Sequence, residues 1–388
     1  MTEKSRLTRR EMIAAAGAVP LAAGAARALA QDAQGQPMLG NPALPQPPGE
    51  RLGWAIVGLG TFGVGQVIPG FGDARGSKMT AFVSGNPAKA RDLGARYGVE
   101  HLYDYRNYDS MAGNPAIDCV YIVLPVGLHA EYTIRALEAG KHVLCEKPMA
   151  STSAECEAMI AAAKANDRQL GVAYRVHFEP KNREALRRIR AGEIGAMRYI
   201  QCDHGFNANL EYPPHKWRLT KELGGGGSMY DVGIYGINTS LMMLEDEPVE
   251  VSAHYAYPRD DPRFAEVEGG IDWRMRMASG INVQGSSSYC YDPYAARQRY
   301  FGSDASLVMD PATTYYDNSL VMEGGGAPRR ELGAGSSRDQ FAAQLDGFSQ
   351  AARENRPHLT PGEMGLRDIR LIEVLYRSAD AGGAVIEL

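Results

Sequence analysis

The chain of 388 residues lacks the features of a disulfide-framed, membrane-spanning or nucleic-acid-binding protein. It has only five cysteines, irregularly spaced, and Cys119 and Cys145 lie in apparent core strands, so free buried thiols are predicted. After the N-terminus, no apolar run approaches the roughly 20 residues that cross a bilayer. The net charge of -5 includes no basic cluster, and no His, Cys, Asp and Glu group has metal-ligand spacing. We therefore expect small-molecule partners, and no nucleic acid, membrane or metal.

The first fifty residues have the composition of a targeting and linker region. Arg9 and Arg10, a weakly apolar segment and an Ala-x-Ala box succeed one another within residues 1–30, as in a twin-arginine signal peptide. A disordered basic N-terminus is the alternative. Residues 31–50 are rich in proline and form either a tether or an arm that binds a neighbouring subunit. We therefore expect a periplasmic protein that is exported folded.

From residue 51 onward, the pattern predicts two domains. Over residues 51–174, strands and helices alternate, which is typical of an α/β Rossmann domain with a doubly wound parallel sheet. Over residues 175–388, strand-like segments of period two predominate and two helices close the chain. This part is predicted to be an α+β domain with one large, mostly antiparallel open-faced sheet. Such a face favours a homodimer or homotetramer.

A dinucleotide-binding motif opens the first domain. An apolar strand runs into Gly58-Leu59-Gly60-Thr61-Phe62-Gly63, which fits G-x-G-x-x-G. Gly58 permits the tight turn, Gly60 lets backbone N–H groups approach a pyrophosphate, and Gly63 allows the helix to pack on the strand. The motif predicts a nicotinamide or flavin dinucleotide.

The end of the second predicted strand distinguishes NAD from NADP. An Asp or Glu at this place binds the ribose hydroxyls of NAD. This chain has Ser84-Gly85-Asn86 instead, followed by Lys89 and Arg91. A neutral hydroxyl backed by cations suits a 2′-phosphate, so NADP is favoured. The alternative is that Lys89 and Arg91 are solvated on a helix face.

Two later segments carry candidate chemistry. Glu146-Lys147-Pro148 follows a strand at the carboxyl edge of the predicted sheet, where ligands bind. If a helix begins near Ser228, Asp231 and Tyr235 are one turn apart on the same face. A phenol near a lysine ammonium can serve as the base toward a sugar hydroxyl. Ser228-x-x-Asp231 also fits a capping box, which is the structural alternative.

Together, the glycine motif, Glu146-Lys147-Pro148 and Asp231-x-x-x-Tyr235 resemble the motifs of the Gfo/Idh/MocA oxidoreductases, in particular their glucose–fructose oxidoreductase branch. The resemblance covers nearly everything after Arg51. It implies that Lys147, Tyr235 and Asp231 are catalytic and that NADP(H) is tightly bound. The cofactor contacts that it implies are Gly58, Leu59, Gly60, Thr61, Phe62, Ser84, Lys89, Leu124, Pro125, His129, Glu146, Lys147 and Arg175. The sugar contacts that it implies are Lys147, Arg175, Arg218, Asp231 and Tyr235, with His177 either joining them or serving as a structural residue.

The activity implied by the resemblance is a two-sugar cycle. An aldose is oxidised at C1 to its lactone, and a second sugar is then reduced to an alditol. The segment Tyr289-Cys290-Tyr291-Asp292-Pro293-Tyr294 departs from that branch, and so does the short arm; if the segment lines the pocket, the acceptor is another aldose instead of fructose. The alternatives are an aldose dehydrogenase with exchangeable NADP and a cofactor-dependent glycoside hydrolase of the same superfamily. Members of the latter group tend to carry His where this chain has Tyr235.

Overall fold

The computed structural model describes residues 51–388, which form two β-sheets with flanking helices. The predicted signal peptide and proline-rich arm lie outside the described residues. Within residues 51–388, no helix combines the length and the apolar character needed to cross a membrane. All five cysteines lie in this range as free thiols, and four of them are buried, as predicted.

The first sheet has six strands, all parallel, in the order β3-β2-β1-β4-β5-β6. Its strands are β1 (Leu52–Val57), β2 (Ser77–Val83), β3 (His101–Tyr103), β4 (Cys119–Ile122), β5 (His142–Cys145) and β6 (Leu170–Val172). Its helices are α1 (Ile68–Asp73), α2 (Pro87–Tyr97), α3 (His129–Glu138) and α4 (Ser153–Ala165). The central strands β4 and β5 are apolar and buried except at His142, the first residue of β5, because both of their faces are covered. This confirms the doubly wound prediction, and the order reverses between β1 and β4, where a ligand crevice forms.

The second sheet has nine strands in the order β14-β13-β12-β11-β7-β10-β9-β8-β15, and only β7 and β10 pair in parallel. Its strands are β7 (Met197–Asn207), β8 (Pro248–Tyr255), β9 (Gly270–Met277), β10 (Asn282–Ser288), β11 (Cys290–Gly302), β12 (Ala305–Met309), β13 (Val321–Gly324), β14 (Ala327–Glu331) and β15 (Ile386–Glu387). The helices before and within it are α5 (Pro180–Arg190), α6 (Pro213–Lys216), α7 (Lys221–Gly224) and α8 (Ile234–Leu244). The mostly antiparallel prediction is confirmed.

The two faces of this sheet differ in polarity because side chains alternate along each strand. Trp273 and Met275 of β9 are buried in the same core cluster as Ile237 of α8. Between them in sequence, Arg274 is exposed, as is Gln284 on the neighbouring strand β10. The sheet therefore has one apolar face under helices and one polar face that is open in this chain.

The last two helices, α9 (Asp339–Arg353) and α10 (Gly362–Asp380), connect the two halves of the molecule. Helix α9 packs on the parallel sheet: Trp54 Nε1 donates to Ser349 Oγ at 3.0 Å, and the ring of Phe348 lies 5.4 Å from that of Trp54. Asp346 of the same helix accepts the backbone N–H of Gly76 at 2.8 Å. All strands of the first sheet precede residue 174 and all strands of the second follow it, whereas α9 completes the Rossmann core from the far end of the chain.

Candidate functional site

The glycine motif forms a tight backbone cradle at the carboxyl end of β1. Gly58 has φ +101°, and a Cβ atom there would lie 2.2 Å from the carbonyl oxygen of Val123. A Cβ atom on Gly63 would lie 2.6 Å from the carbonyl oxygen of Gly58. Gly60 faces open space and is exposed, and a helical segment begins directly after it. These residues fit the pyrophosphate of a dinucleotide, which binds bare backbone N–H groups at a helix N-terminus.

The end of β2 provides a hydroxyl and an ammonium group instead of a carboxylate. Ser84 Oγ accepts the N–H of Asn86 at 3.1 Å, and Asn86 Oδ1 caps α2 by accepting the N–H of Lys89 at 3.0 Å. Partial burial lowers the pKa of the Lys89 ammonium, whereas Arg91 is exposed. The turn places no acidic side chain where one would repel a 2′-phosphate, so its residues fit NADP.

Two predicted cofactor residues, His129 and Glu146, make hydrogen-bond contacts with other protein groups. The ring nitrogens of His129 lie 2.9 Å and 2.8 Å from the carbonyl oxygens of Pro148 and Leu124, so this side chain links the loops after β4 and β5. Burial raises the pKa of the Glu146 carboxyl, an effect opposed by the hydrogen bond from Tyr121 at 2.6 Å. Both residues therefore position the loops that line the crevice.

Lys147, Asp231 and Tyr235 come together across the crevice, although 84 residues separate Lys147 from Asp231. The Lys147 ammonium donates to the backbone carbonyl of Asp231 and lies 3.5 Å from Asp231 Oδ1. It also lies 4.6 Å from the ring centre of Tyr235, in cation–π geometry. The structure therefore brings together at one site the three side chains that the sequence analysis named as catalytic candidates.

The Asp231 carboxylate is held by charged and phenolic partners. Arg218 Nε donates to Asp231 Oδ2 at 2.9 Å, and the Tyr289 hydroxyl donates to the same oxygen at 3.2 Å. Burial alone would raise the pKa of this carboxyl, but the charges of Arg218 and Lys147 outweigh burial and hold it below its usual range. Asp231 is therefore a carboxylate at neutral pH.

The capping-box alternative for Asp231 is wrong, because a distant residue caps this helix. Glu268 Oε2 accepts the N–H of Gly227 at 2.7 Å, and Glu268 Oε1 accepts the N–H of Met229 at 2.8 Å. Asp231 thus turns its side chain to the crevice, while Glu268 supplies the negative group at the helix N-terminus. The backbone from Met229 to Gly233 is a π-helical turn that continues into α8.

Arg175 follows β6 and reaches the hydroxyl of Tyr235. Its Nη2 donates to Tyr235 OH at 3.0 Å and to the carbonyl oxygen of Thr313 at 2.6 Å, and its Nη1 donates to Gln340 Oε1 at 2.7 Å. Arg175 is 4% exposed, so these bonds fix the guanidinium rigidly. A buried cation that donates to the phenol oxygen stabilises negative charge on that oxygen.

A segment that we call the strap, residues 313–320 between β12 and β13, reaches the helix after the glycine motif. The Tyr315 ring lies 5.7 Å from that of Phe62, and the Tyr316 hydroxyl donates to Gln66 Oε1. The Arg175 guanidinium lies 4.6 Å from the ring centre of Tyr315. The strap therefore joins the second domain to the place where the pyrophosphate is expected.

Other histidines near the site have different surroundings. His177 Nε2 lies 2.8 Å from Asn238 Oδ1, and burial lowers the pKa of His177 to about 4, which supports its structural role. His204 stacks on Tyr235 with 6.1 Å between ring centres, and burial lowers its pKa to about 3. Sequence reasoning missed His204, Tyr315 and Glu268, because no local pattern links them to the site.

A glycine cradle on a Rossmann sheet, with a lysine and a tyrosine at the crevice, defines a nicotinamide-dependent oxidoreductase. Residues 52–174 match the model of the oxidoreductase family with an NAD-binding Rossmann fold, and residues 182–308 match the GFO/IDH/MocA C-terminal domain. The chain belongs to the Gfo/Idh/MocA oxidoreductase family. The expected enzyme class is thereby confirmed.

Relatives of known name cover most of the chain. D-xylose 1-dehydrogenase [NADP(+)] of Haloarcula marismortui is 30% identical over 345 residues, 86% of this chain and 92% of its own. The crystal structure of aldose-aldose oxidoreductase from Caulobacter crescentus, complexed with glycerol, is 39% identical with a TM-score of 0.83, and the match covers 87% of this chain and 100% of that one. An inositol dehydrogenase homolog from Azotobacter vinelandii, complexed with NAD+, is 24% identical with a TM-score of 0.78 over 87% and 98% of the two chains; this likeness concerns the fold alone.

Proposed function

We propose that this protein is an NADP-dependent sugar oxidoreductase that couples two sugars through one tightly bound cofactor. An aldose is oxidised at C1 to its aldonolactone, and a second sugar is reduced to an alditol. The observation that carries the proposal is the hydrogen bond from Arg175 to Tyr235, beside the Lys147 ammonium. The names of the similar xylose dehydrogenase and aldose-aldose oxidoreductase support sugars as substrates and NADP as cofactor.

The residues present divide the chemistry between proton handling and orientation. A bound nicotinamide would supply hydride transfer, accepting a hydride from C1 of the first sugar and giving it to the carbonyl carbon of the second. Tyr235 accepts the proton of the C1 hydroxyl in the first half-reaction and donates it to the carbonyl oxygen in the second. Arg175 and Lys147 stabilise the Tyr235 phenolate, the form that accepts the proton in the first half-reaction and that the second half-reaction restores. Asp231 and Arg218, fixed on each other, bind further sugar hydroxyls.

Retention of the cofactor is proposed from the strap. Tyr315 and Tyr316 contact Phe62 and Gln66, which lie on the helix whose N-terminus meets the pyrophosphate. A nucleotide seated there leaves only when these contacts between the two domains open. Such retention would let the protein work in the periplasm, to which its N-terminus is proposed to direct it, where no NADP pool is available. We also propose a homodimer or homotetramer formed through the polar face of the large sheet.

The test is a product analysis on purified protein with no added nucleotide. We expect co-purified NADP(H), reduction of that cofactor by an aldose, and equal amounts of lactone and alditol when an acceptor sugar is supplied. Turnover only with added NADP would replace the proposal by an exchangeable aldose dehydrogenase. Release of nitrophenol from a nitrophenyl glycoside, without net redox change, would replace it by a glycoside hydrolase.

A further inference from the structure

Strand β11 contains a bulge beside the candidate active site. Cys290 pairs with Asn207 of β7, but the next pair joins Ala295 to Gly205, so β11 advances five residues while β7 advances two. The residues in between, 291–294, have no register partner on β7. The bulge begins two residues after Tyr289, whose hydroxyl donates to the Asp231 carboxylate. It therefore borders the site.

Contacts of Tyr291 with β10 and β7 fix the position of the bulge. The Tyr291 hydroxyl donates to Ser286 Oγ on β10 at 2.8 Å. Its ring lies on the backbone of Gly205, where a Cβ atom would come within 2.4 Å of Tyr291 Cδ2. The bulge is thus an anchored element, and the tyrosine at its end has a defined place.

That tyrosine, Tyr294, exposes 52% of its surface although it lies close to the catalytic groups. Burial raises the pKa of its hydroxyl to about 12, an effect that the Arg175 guanidinium opposes and the Asp231 carboxylate reinforces. The next residue, Ala295, pairs with Gly205 of β7, which adjoins His204, and the ring of His204 stacks on Tyr235, so Tyr294 lies at the edge of the site with an accessible ring. An exposed aromatic face beside fixed polar groups is the arrangement with which proteins bind a ring that has one apolar face.

We propose that Tyr294 is a specificity-determining residue whose ring packs on the C–H face of a cyclic aldose. The proposal rests on the two-sugar function above, because the two half-reactions use different forms of sugar. Oxidation at C1 to a lactone takes a rigid pyranose with a flat C–H face. Reduction to an alditol takes an open-chain carbonyl form, which offers no such face. Tyr294 accordingly binds the donor and contributes little to binding of the acceptor.

The test compares the binding of a cyclic and an open-chain sugar to the holoenzyme by calorimetry. The probes are a 1,5-anhydroalditol, which has the pyranose ring but no C1 hydroxyl, and the corresponding alditol. For Tyr294→Ala, we expect roughly tenfold weaker binding of the cyclic probe, the ratio that about 1.4 kcal/mol of aromatic contact produces. Binding of the alditol is expected to stay within twofold. Tyr294→Phe keeps the ring and is expected to stay within twofold for both probes.

The control is Leu359→Ala, which removes an equally exposed side chain (53%) that none of the contacts in the site involves. In parallel, the half-saturating aldose concentration for reduction of the bound cofactor is expected to rise in Tyr294→Ala alone. Equal weakening of both probes, or unchanged binding of the cyclic probe, would overturn the role of Tyr294. Absence of binding and of cofactor reduction in the unaltered protein would instead overturn the proposed function.

Discussion

Tyr235 receives a hydrogen bond from one cation and packs its ring against another. Arg175 donates to its oxygen at 3.0 Å, and the Lys147 ammonium lies 4.6 Å from its ring centre. Both cations are held by other protein groups, so their placement does not depend on the sugar. Preorganised charges of this kind stabilise a developing anion without a reorganisation cost during the reaction.

Removing this hydroxyl tests the proton-transfer role. Tyr235→Phe is expected to slow sugar-dependent reduction of the bound cofactor by about 10²- to 10⁴-fold, the usual contribution of general acid–base catalysis. The measurement is the single-turnover absorbance change on mixing with an aldose. Tyr230→Phe is the matched control, since the Tyr230 hydroxyl donates to the backbone of Ser151. A Tyr235→Phe protein with unaltered cofactor reduction would refute the mechanism.

The ion pair between Arg218 and Asp231 gives a pH-dependent prediction. The folded-state pKa of Asp231 is depressed, so the pair contributes stability above the unfolded pKa of about 3.9 and loses it as the pH falls through the folded value. Arg218→Gln removes the positive charge that most strongly lowers the pKa of Asp231, so burial raises that pKa. The loss of stability on acidification is then expected at a higher pH. We expect about 1–3 kcal/mol lower stability at neutral pH. Unfolding free energies between pH 3 and 7 check this, with exposed Arg198→Gln as the control.

At the level of elements, the catalytic helix depends on a carboxylate from another strand. Burial raises the pKa of Glu268, and its hydrogen bonds from Met229 and Gly227 oppose that effect. Glu268→Gln turns an acceptor into an amide donor facing those N–H groups. We expect about 1–3 kcal/mol lower stability and a lower kcat, because the helix carries Asp231 and Tyr235. Chemical denaturation and steady-state kinetics measure both quantities.

The control for Glu268 lies two residues earlier in the chain. Glu266 is exposed and accepts one backbone N–H, that of Lys221, at 3.1 Å. Glu266→Gln is expected to change stability by less than about 0.5 kcal/mol. Equal effects of the two substitutions would show that Glu268 has no special part in holding the helix.

The strap gives a prediction about cofactor exchange. Tyr316→Ala removes the hydrogen bond to Gln66 and the cation–π contact with Arg338. We expect NADPH to dissociate roughly 30-fold faster, since a hydrogen bond and a cation–π contact each contribute about 1 kcal/mol and about 1.4 kcal/mol corresponds to a factor of ten. Displacement of the bound nucleotide, followed by its fluorescence, gives the rate. An unchanged rate would mean that the strap does not retain the cofactor.

Elements with local signals were predicted well, and contacts between distant elements were not. The glycine motif, the Ser84 turn and the Lys147 loop each follow a strand, so their meeting at one sheet edge follows from the parallel topology. The spacing of Asp231 and Tyr235 depends on one helix alone. In contrast, Tyr315 and Glu268 reach the site through packing between elements that are distant in sequence. Hydrophobic periodicity along the chain does not predict such packing. The same limit explains why the capping-box alternative was wrong and why the packing of α9 on the first sheet was not predicted.

At the scale of the whole molecule, α9 couples the stability of the two domains. Phe348 is fully buried against Trp54, although it follows every strand of the second sheet except β15 in sequence. Phe348→Ala is expected to cost about 3–5 kcal/mol and to lower the amount of co-purified NADP(H), because the Rossmann sheet loses part of its cover. Denaturation and nucleotide content measure this, with Leu359→Ala as the control. If the Phe348→Ala protein is strongly destabilised but keeps its full cofactor content, then the packing of α9 does not contribute to nucleotide binding.

The place of α9 also determines when the nucleotide domain is finished during synthesis. A ribosome that has made residues 51–174 has produced every strand of the first sheet. One face of that sheet is not fully covered until residues 339–353 have also been made. The nucleotide-binding domain is therefore complete only after every strand of the second sheet except β15 has been made. Cofactor loading becomes one of the last steps of assembly, and a chain that stops early has strands for the nucleotide but no closed core to hold it.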